Sequence, residues 1–286
     1  MATLLTCLEK HSEFREHEVG DGTVFYLVSR SELASRDFYN RQDGDHIVGS
    51  KPKGYKHLSL RRDDVFMKML GPREAENELC AYFLLDQLSD EEGYKINLPS
   101  YLSAYVRASS REESFVCSEY LDQAQPFSVL ERQGDVIRGV VNFISMESEE
   151  RYGIIRTLAR QTAMVHFANI DWPEQLVSHN LMYDKSKGTK DGVINVDLEG
   201  ISESELTDGM RFDVIVKGIY TSGLFKFDQT ALFRDQDDID FFLKEYLLAY
   251  DKSLDESRMG SELEVLKERI AEARVTVTED SLSEFT

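Results

Sequence analysis

Val196-Asp197-Leu198-Glu199-Gly200, read together with Ser178-His179-Asn180-Leu181 upstream, decides how this chain is understood. The run Gly192-Val193-Ile194-Asn195-Val196 is rich in β-branched residues and ends in Asp197, so a strand there would point that carboxylate out of the core. Turn chemistry and an apolar run separate the two signatures. An Asn and an Asp delivered by neighbouring strand ends are two oxygen ligands of the kind a hard cation takes. Mg2+ keeps several waters and substrate phosphates beside one or two such groups. The competing reading of Asn180 and Asp197 is capping or turn duty, which both residue types perform widely. His179, next to the Asn, could orient the loop through a backbone hydrogen bond.

Working upstream, Val65-Phe66-Met67-Lys68-Met69 is an apolar strand interrupted by one ammonium. Burying that charge is costly unless a carboxylate pairs with it. Glu78 on the following helix is the candidate partner, with Glu74 and Glu76 as rivals; the alternative is an edge-strand Lys snorkelling to solvent. Further upstream, Gly49-Ser50-Lys51-Pro52-Lys53-Gly54 offers glycines whose freed N–H groups could cradle phosphate. It lacks a G-x-G-x-x-G pattern, and an ordinary surface loop is the better reading.

Composition narrows the classes. The 286 residues are 41% hydrophobic, enough for one large core or two modest lobes. Lys and Arg total 33 against 53 Asp and Glu, a net charge of −20, which argues against general nucleic-acid binding. Cys7, Cys80 and Cys117 are scattered in apolar or strand-like surroundings, without zinc-ligand spacing, and read as core thiols of a reducing compartment. The N-terminus lacks the basic start and apolar length of a signal peptide. No segment approaches ~18 uninterrupted apolar residues, so no transmembrane span is expected. The resulting expectation is a cytoplasmic protein.

Strands are expected at 23–29, 56–60, 65–69, 99–106 and 113–121, with one helix from about Glu74 to Leu88 carrying Leu79, Phe83 and Leu84. Residues 30–54 read as polar and glycine-broken. After about residue 122 the pattern turns helical: moderately over 127–143, strongly over Glu149 to Phe167 with Ile154, Ile155, Leu158, Met164 and Val165 inward. Helices follow at Phe212 to Tyr220 and Ile239 to Tyr250. Residues 1–121 thus form a β-rich part and 122–258 an α-rich part, joined near Glu119–Gln125. Within 259–286, Met259, Leu263, Leu266, Ile270 and Ala273 make one apolar seam that docks on the protein's own body or on a protein partner. Thr276–Thr286 is expected to fray.

From Lys68 to Tyr246 the chain resembles the protein-kinase-like fold, and within it the bacterial lipopolysaccharide core-sugar (Kdo and heptose) kinases. The residues that carry the likeness are Val65-Phe66-Met67-Lys68, Asn77-Glu78-Leu79 and the hinge-like Val116-Cys117-Ser118-Glu119-Tyr120-Leu121. They continue with Met164-Val165-His166, Leu176 to Met182, Val196 to Glu199 and Phe242 to Leu247. The resemblance implies an α+β, bilobal protein-kinase-like fold and an ATP-dependent phosphotransferase. Lys68, held by Glu78, would contact nucleotide phosphates; Glu119 and Leu121 would line the nucleotide; Asn180 and Asp197 would hold Mg2+. The acceptor would be a hydroxyl on a sugar, glycolipid or other small molecule.

One departure matters. Kinases place an Asp five positions before the catalytic-loop Asn, and here Gln175 stands in that slot. Gln accepts a hydrogen bond but is no base. Glu174 or Asp171 could take its place in orienting the acceptor. Phosphoryl transfer depends chiefly on positioning and electrostatics, so a missing base slows it without forbidding it. Three readings follow: a small-molecule or glycolipid kinase, a pseudokinase serving as a nucleotide-binding interaction module, and a scaffold in which the matches are accidental.

Overall fold

The computed structural model describes residues 15–19, 23–26, 30, 33, 36–39, 46–49, 59–106, 114–128, 139–198, 200–203, 205–221, 224, 229–251 and 256–283. The chain is α+β, as expected, and divides into two compact units. One comprises Met1–Asp86 with Leu98–Asp122, the other Gln87–Asn97 with Gln123–Thr286. The assignment of Gln87–Asn97 to the second unit differs from the simple division near residue 121.

Among the described residues the first unit holds a seven-stranded antiparallel sheet. Its strands are β1 (Arg15–Val19), β2 (Thr23–Tyr26), β3 (His46–Gly49), β4 (Ser59–Arg62), β5 (Val65–Leu70), β6 (Tyr101–Val106) and β7 (Ser114–Glu119). Their order is β1-β2-β6-β7-β5-β4-β3. Residues 30–54, read as polar and glycine-broken, contain β3 and the short helix α1 (Arg36–Tyr39). The reason is aromatic burial: Tyr39 stacks on Tyr105 at 4.6 Å and bonds Ser103 Oγ through its hydroxyl at 2.8 Å.

Partners in an antiparallel ladder share a face, so the register sorts this sheet into two sides. Met67 opposes Cys117 and Leu60 opposes Met67; these residues join Tyr39, Val65, Tyr105 and Phe115 in an apolar cluster. Burial pushes the Cys117 thiol up to about 12, leaving it inert. Cys80 is also a buried free thiol; Cys7 and residues 50–54 lie outside the described residues. Lys68 opposes Val116 on the other side. Helix α2 (Pro72–Asp86) follows β5 and buries Glu78, Leu79 and Phe83. It begins with Pro at its first position, where no intrahelical N–H is lost.

The second unit is built on α3 (Ser148–Phe167), whose Ile154, Ile155, Leu158, Met164 and Val165 are all buried as the periodicity predicted. The described residues of the stretch 127–143 correct the helical expectation: 127–128 and 139–143 are not helical. Val141 and Phe143 are buried on either side of exposed Asn142, and Phe143 meets Phe127 edge-on at 5.5 Å. Alternating burial of that kind suits extended chain, not a helix. Two short strands, β8 (Gln125–Pro126) and β9 (Ile170–Asp171), flank α3. The segment 87–97 is tied to this unit by polar bonds that range from buried to partly exposed. Arg160 reaches Asp90 at 3.1 Å and Glu92 at 3.0 Å, Gln161 donates to Lys95 O, and Asn97 donates to Val193 O.

The C-terminal helices of this unit are α5 (Asp208–Val216), α6 (Gln236–Tyr250) and α7 (Glu256–Ser283), α4 being the short turn Gly188–Gly192. Met259, Leu266 and Ile270 of α7 are buried in the main core with Leu263 against it, so this seam docks within the protein's own unit. The α7 backbone is helical through Ser283, beyond the expected fraying point. Among the described residues no helix is long and apolar enough to cross a membrane.

His166, 1% exposed near the end of α3, shares a 3.0 Å hydrogen bond with Tyr246 Oη. Burial, with the nearby Arg211 charge, holds its pKa down at about 3 against 6.5 in the unfolded chain. Between those values the unfolded state binds the proton and the folded state does not. Stability is therefore full above pH 6.5 and is lost as pH falls toward 3, by up to about 1.4 kcal/mol per pH unit. Urea unfolding of the parent and His166→Phe at pH 7, 5.5 and 4.5 should show a shallower acid decline in the variant. Equal slopes would contradict the assignment.

Candidate functional site

In the first unit the Lys68 ammonium sits 2.9 Å from Glu78 Oε2, with side-chain exposures of 12% and 4%. Of the three candidate partners, Glu78 makes this bond. Glu74 turns back to accept the Gly71 N–H at 2.9 Å, as a Glu three positions into a helix does. The second Glu78 oxygen accepts from Tyr101 Oη at 2.7 Å. Sequence reasoning missed Tyr101. At the exit of β7, Glu119 is exposed and its N–H donates to Ser100 O; Leu121 is half-buried. Tyr120 between them donates its N–H to Asp64 O, and the Arg61 guanidinium lies 3.9 Å over its ring while reaching Asp122 at 3.0 Å. The chain leaving β7 is thereby clamped to the β4–β5 turn, where Asp63 takes φ 51°.

In the second unit, β10 (Leu181–Tyr183) and β11 (Val193–Asn195) form an antiparallel hairpin in which Leu181 opposes Asn195. The next step of the ladder is a 3.0 Å bond from Val196 N–H to Asn180 O. Asn180 and Asp197 therefore stand at the same open end of one hairpin. The far end closes tightly: Asp184 donates to Gly192 O at 2.8 Å, and a Cβ on Gly192 would run into Asp184 O.

The loop before β10 is a series of turns. Gln175 N–H bonds Trp172 O, Val177 N–H bonds Glu174 O, and Asn180 N–H bonds Val177 O. Leu176 anchors it against Gly218, where any Cβ would collide with the Leu176 side chain. Ser178 Oγ lies 2.6 Å from Ser128 Oγ. These contacts separate the three acceptor-orienting candidates. Gln175 is 1% exposed, closed to an incoming hydroxyl, and among the described residues its Oε1 has no partner. Asp171 lies in β9, whose partner strand is β12 (Ser202–Glu203), and is half-buried. Glu174 is exposed and accepts a long 3.4 Å bond from Asn180 Nδ2. His179 is exposed; Glu199 lies outside the described residues.

Asn180 and Asp197 are oxygen donors of the class a hard cation takes. Asn180 spends an amide N–H on Glu174, so that bond leaves Oδ1 for a cation, and Asp197 supplies a carboxylate. Among the described residues no three His, Cys, Asp or Glu gather into a cage. A cation that binds through one carboxylate and substrate phosphates needs no such cage.

No family model matches the chain, and no curated protein matches it. Solved structures that are similar in part include the three that follow. An aminoglycoside-3'-phosphotransferase of type VIII has a TM-score of 0.47 and 13% identity, over 83% of this chain and 98% of that one. The GDP complex of wild-type aminoglycoside 2'-phosphotransferase-IIIa has 0.36 and 12%, over 83% and 96%. A choline/ethanolamine kinase family protein from Mesorhizobium loti has 0.24 and 12%, over 86% and 91%. At such scores and identities none of the three carries weight for activity.

Proposed function

We propose that the chain is an ATP- and Mg2+-dependent phosphotransferase of protein-kinase-like fold, acting in the cytoplasm on a hydroxyl of a small molecule, sugar or glycolipid. The observation that carries this reading is the Lys68–Glu78 ion pair: an ammonium kept inside an apolar strand by a buried carboxylate on the next helix. Such a charge is expensive to maintain without a task. In this reading bound ATP supplies the γ-phosphoryl group, and Mg2+ neutralises the charge that develops on it. Lys68 contacts phosphate oxygens, Glu119 and Leu121 line the nucleotide, and Asn180 and Asp197 hold the cation. Glu174 orients the acceptor hydroxyl and takes its proton as the oxygen bonds to phosphorus. The bond to the departing ADP oxygen breaks in the same step. Asn180 would serve both ends of this arrangement, donating its amide to Glu174 and helping to hold the cation.

The experiment is a thermal-shift titration with ATP, with and without Mg2+. Ligand at a hundredfold its Kd stabilises by about 2.7 kcal/mol, a rise of roughly 5–10 °C for a chain of this size. Asp197→Ala should lose the Mg2+-dependent part of the rise. An identical response in parent and variant sinks the site, and no response at millimolar ATP sinks the reading.

A second reading, a pseudokinase that binds nucleotide without transfer, is favoured by the burial of Gln175 where a base would stand. Labelled ATP distinguishes the two: phosphate passed to a sugar or glycolipid hydroxyl, and slowed in Glu174→Gln, supports the enzyme.

A further inference from the structure

We propose that Tyr101 is a positioning residue that fixes the Lys68 ammonium through Glu78. The inference rests on the phosphate role given to Lys68 above, and adds a residue outside the motifs that suggested that role. Its origin is a register shift. In Tyr101-Leu102-Ser103-Ala104-Tyr105 a regular strand places Tyr101, Ser103 and Tyr105 on one side. Tyr105 opposes Phe115 and Ser103 opposes Cys117, on the side of the apolar cluster. Between Ser103 and Tyr101 the ladder slips, and Tyr101 opposes Ser118 instead. Ser118 opposes Phe66, two residues from Lys68, so the bulge carries Tyr101 onto the Lys68 side.

There the ring is fixed by stacking on Tyr82 of α2 at 4.5 Å. Tyr101 is 7% exposed, so its hydroxyl works in a dry setting. One carboxylate oxygen of Glu78 faces Tyr101 at 2.7 Å and the other faces Lys68 at 2.9 Å. A carboxylate gripped at one oxygen loses rotation about its last torsion, and the ammonium on the other oxygen inherits that order.

Tyr101→Phe keeps the stacked ring and removes only the hydroxyl. Two measurements test it. Affinity for Mg2+-ATP should fall about tenfold, while affinity for adenosine, which has no phosphate, stays within twofold of the parent. Equal loss for both ligands, or no loss for either, overturns the inference. Acylation of Lys68, followed without nucleotide by peptide mass spectrometry, should be several-fold faster in Tyr101→Phe, with exposed Lys185 as the unchanged reference. An unchanged Lys68 rate overturns the inference even where ATP binds. A faster rate in a protein that binds no ATP removes the phosphate role and leaves the Tyr101–Glu78–Lys68 relay standing.

Discussion

Lys68→Ala is expected to abolish nucleotide-dependent stabilisation and, with no ligand present, to cost about 3–5 kcal/mol of folding stability. Both effects come from the same ion pair, and they can be separated. Truncating the Lys leaves Glu78, 4% exposed, as a buried carboxylate with its countercharge removed. Tyr101 still donates to it, but a phenol supplies no positive charge. The stability loss is thus chiefly the penalty of the stranded anion. Lys68→Met combined with Glu78→Leu removes both charges for similar volume and should recover most of that loss, since buried pairs replaced by apolar residues often come out near neutral. The double variant should still fail to bind Mg2+-ATP. Urea unfolding reads the first effect and calorimetric titration the second. A double variant that folds and binds ATP like the parent would remove Lys68 from the site.

Asp238→Ala should be comparably damaging for a different reason. The Asp238 carboxylate is fully buried in the first turn of α6 and pairs with Arg151 of α3, whose side chain is 6% exposed. It also accepts the Arg234 N–H at 2.7 Å, while Arg151 donates to Leu232 O at 2.9 Å. One pair thus pins the start of α3 to the turn that enters α6. Truncation strands a guanidinium in the core, for an expected loss of about 3–5 kcal/mol and a melting temperature lower by roughly 10 °C. The pair is incompletely satisfied: among the described residues Asp238 Oδ1 and Arg151 Nε lack partners. Arg151→Met with Asp238→Leu should therefore sit much closer to the parent than Asp238→Ala does. A loss below about 1 kcal/mol in the single variant, measured by denaturant unfolding, would contradict this account.

Much of this was legible along the chain because it rests on short-range regularity. The inner face of α3 follows from helical spacing of Ile154, Ile155 and Leu158. The shared strand end of Asn180 and Asp197 follows from turn chemistry between two apolar runs. A lone Lys in the run Val65 to Met69 required a carboxylate, and three were in reach on the next helix. The choice among them came from the helix start. Gly71 and Pro72 put Glu74 where it caps the backbone, while Glu78, one turn on, faces the sheet.

What the chain alone determined, then, was which residues carry charge and metal-binding oxygen and on which elements they ride, because periodicity and cost of burial are local properties. Tertiary structure alone decided which side of the sheet Tyr101 faces and which unit claims Gln87–Asn97. A one-residue slip in a ladder inverts every face beyond it, and bonds such as Asn97 to Val193 O join residues nearly a hundred positions apart. Neither the slip nor those long-range partners leaves a mark in the spacing of nearby residues.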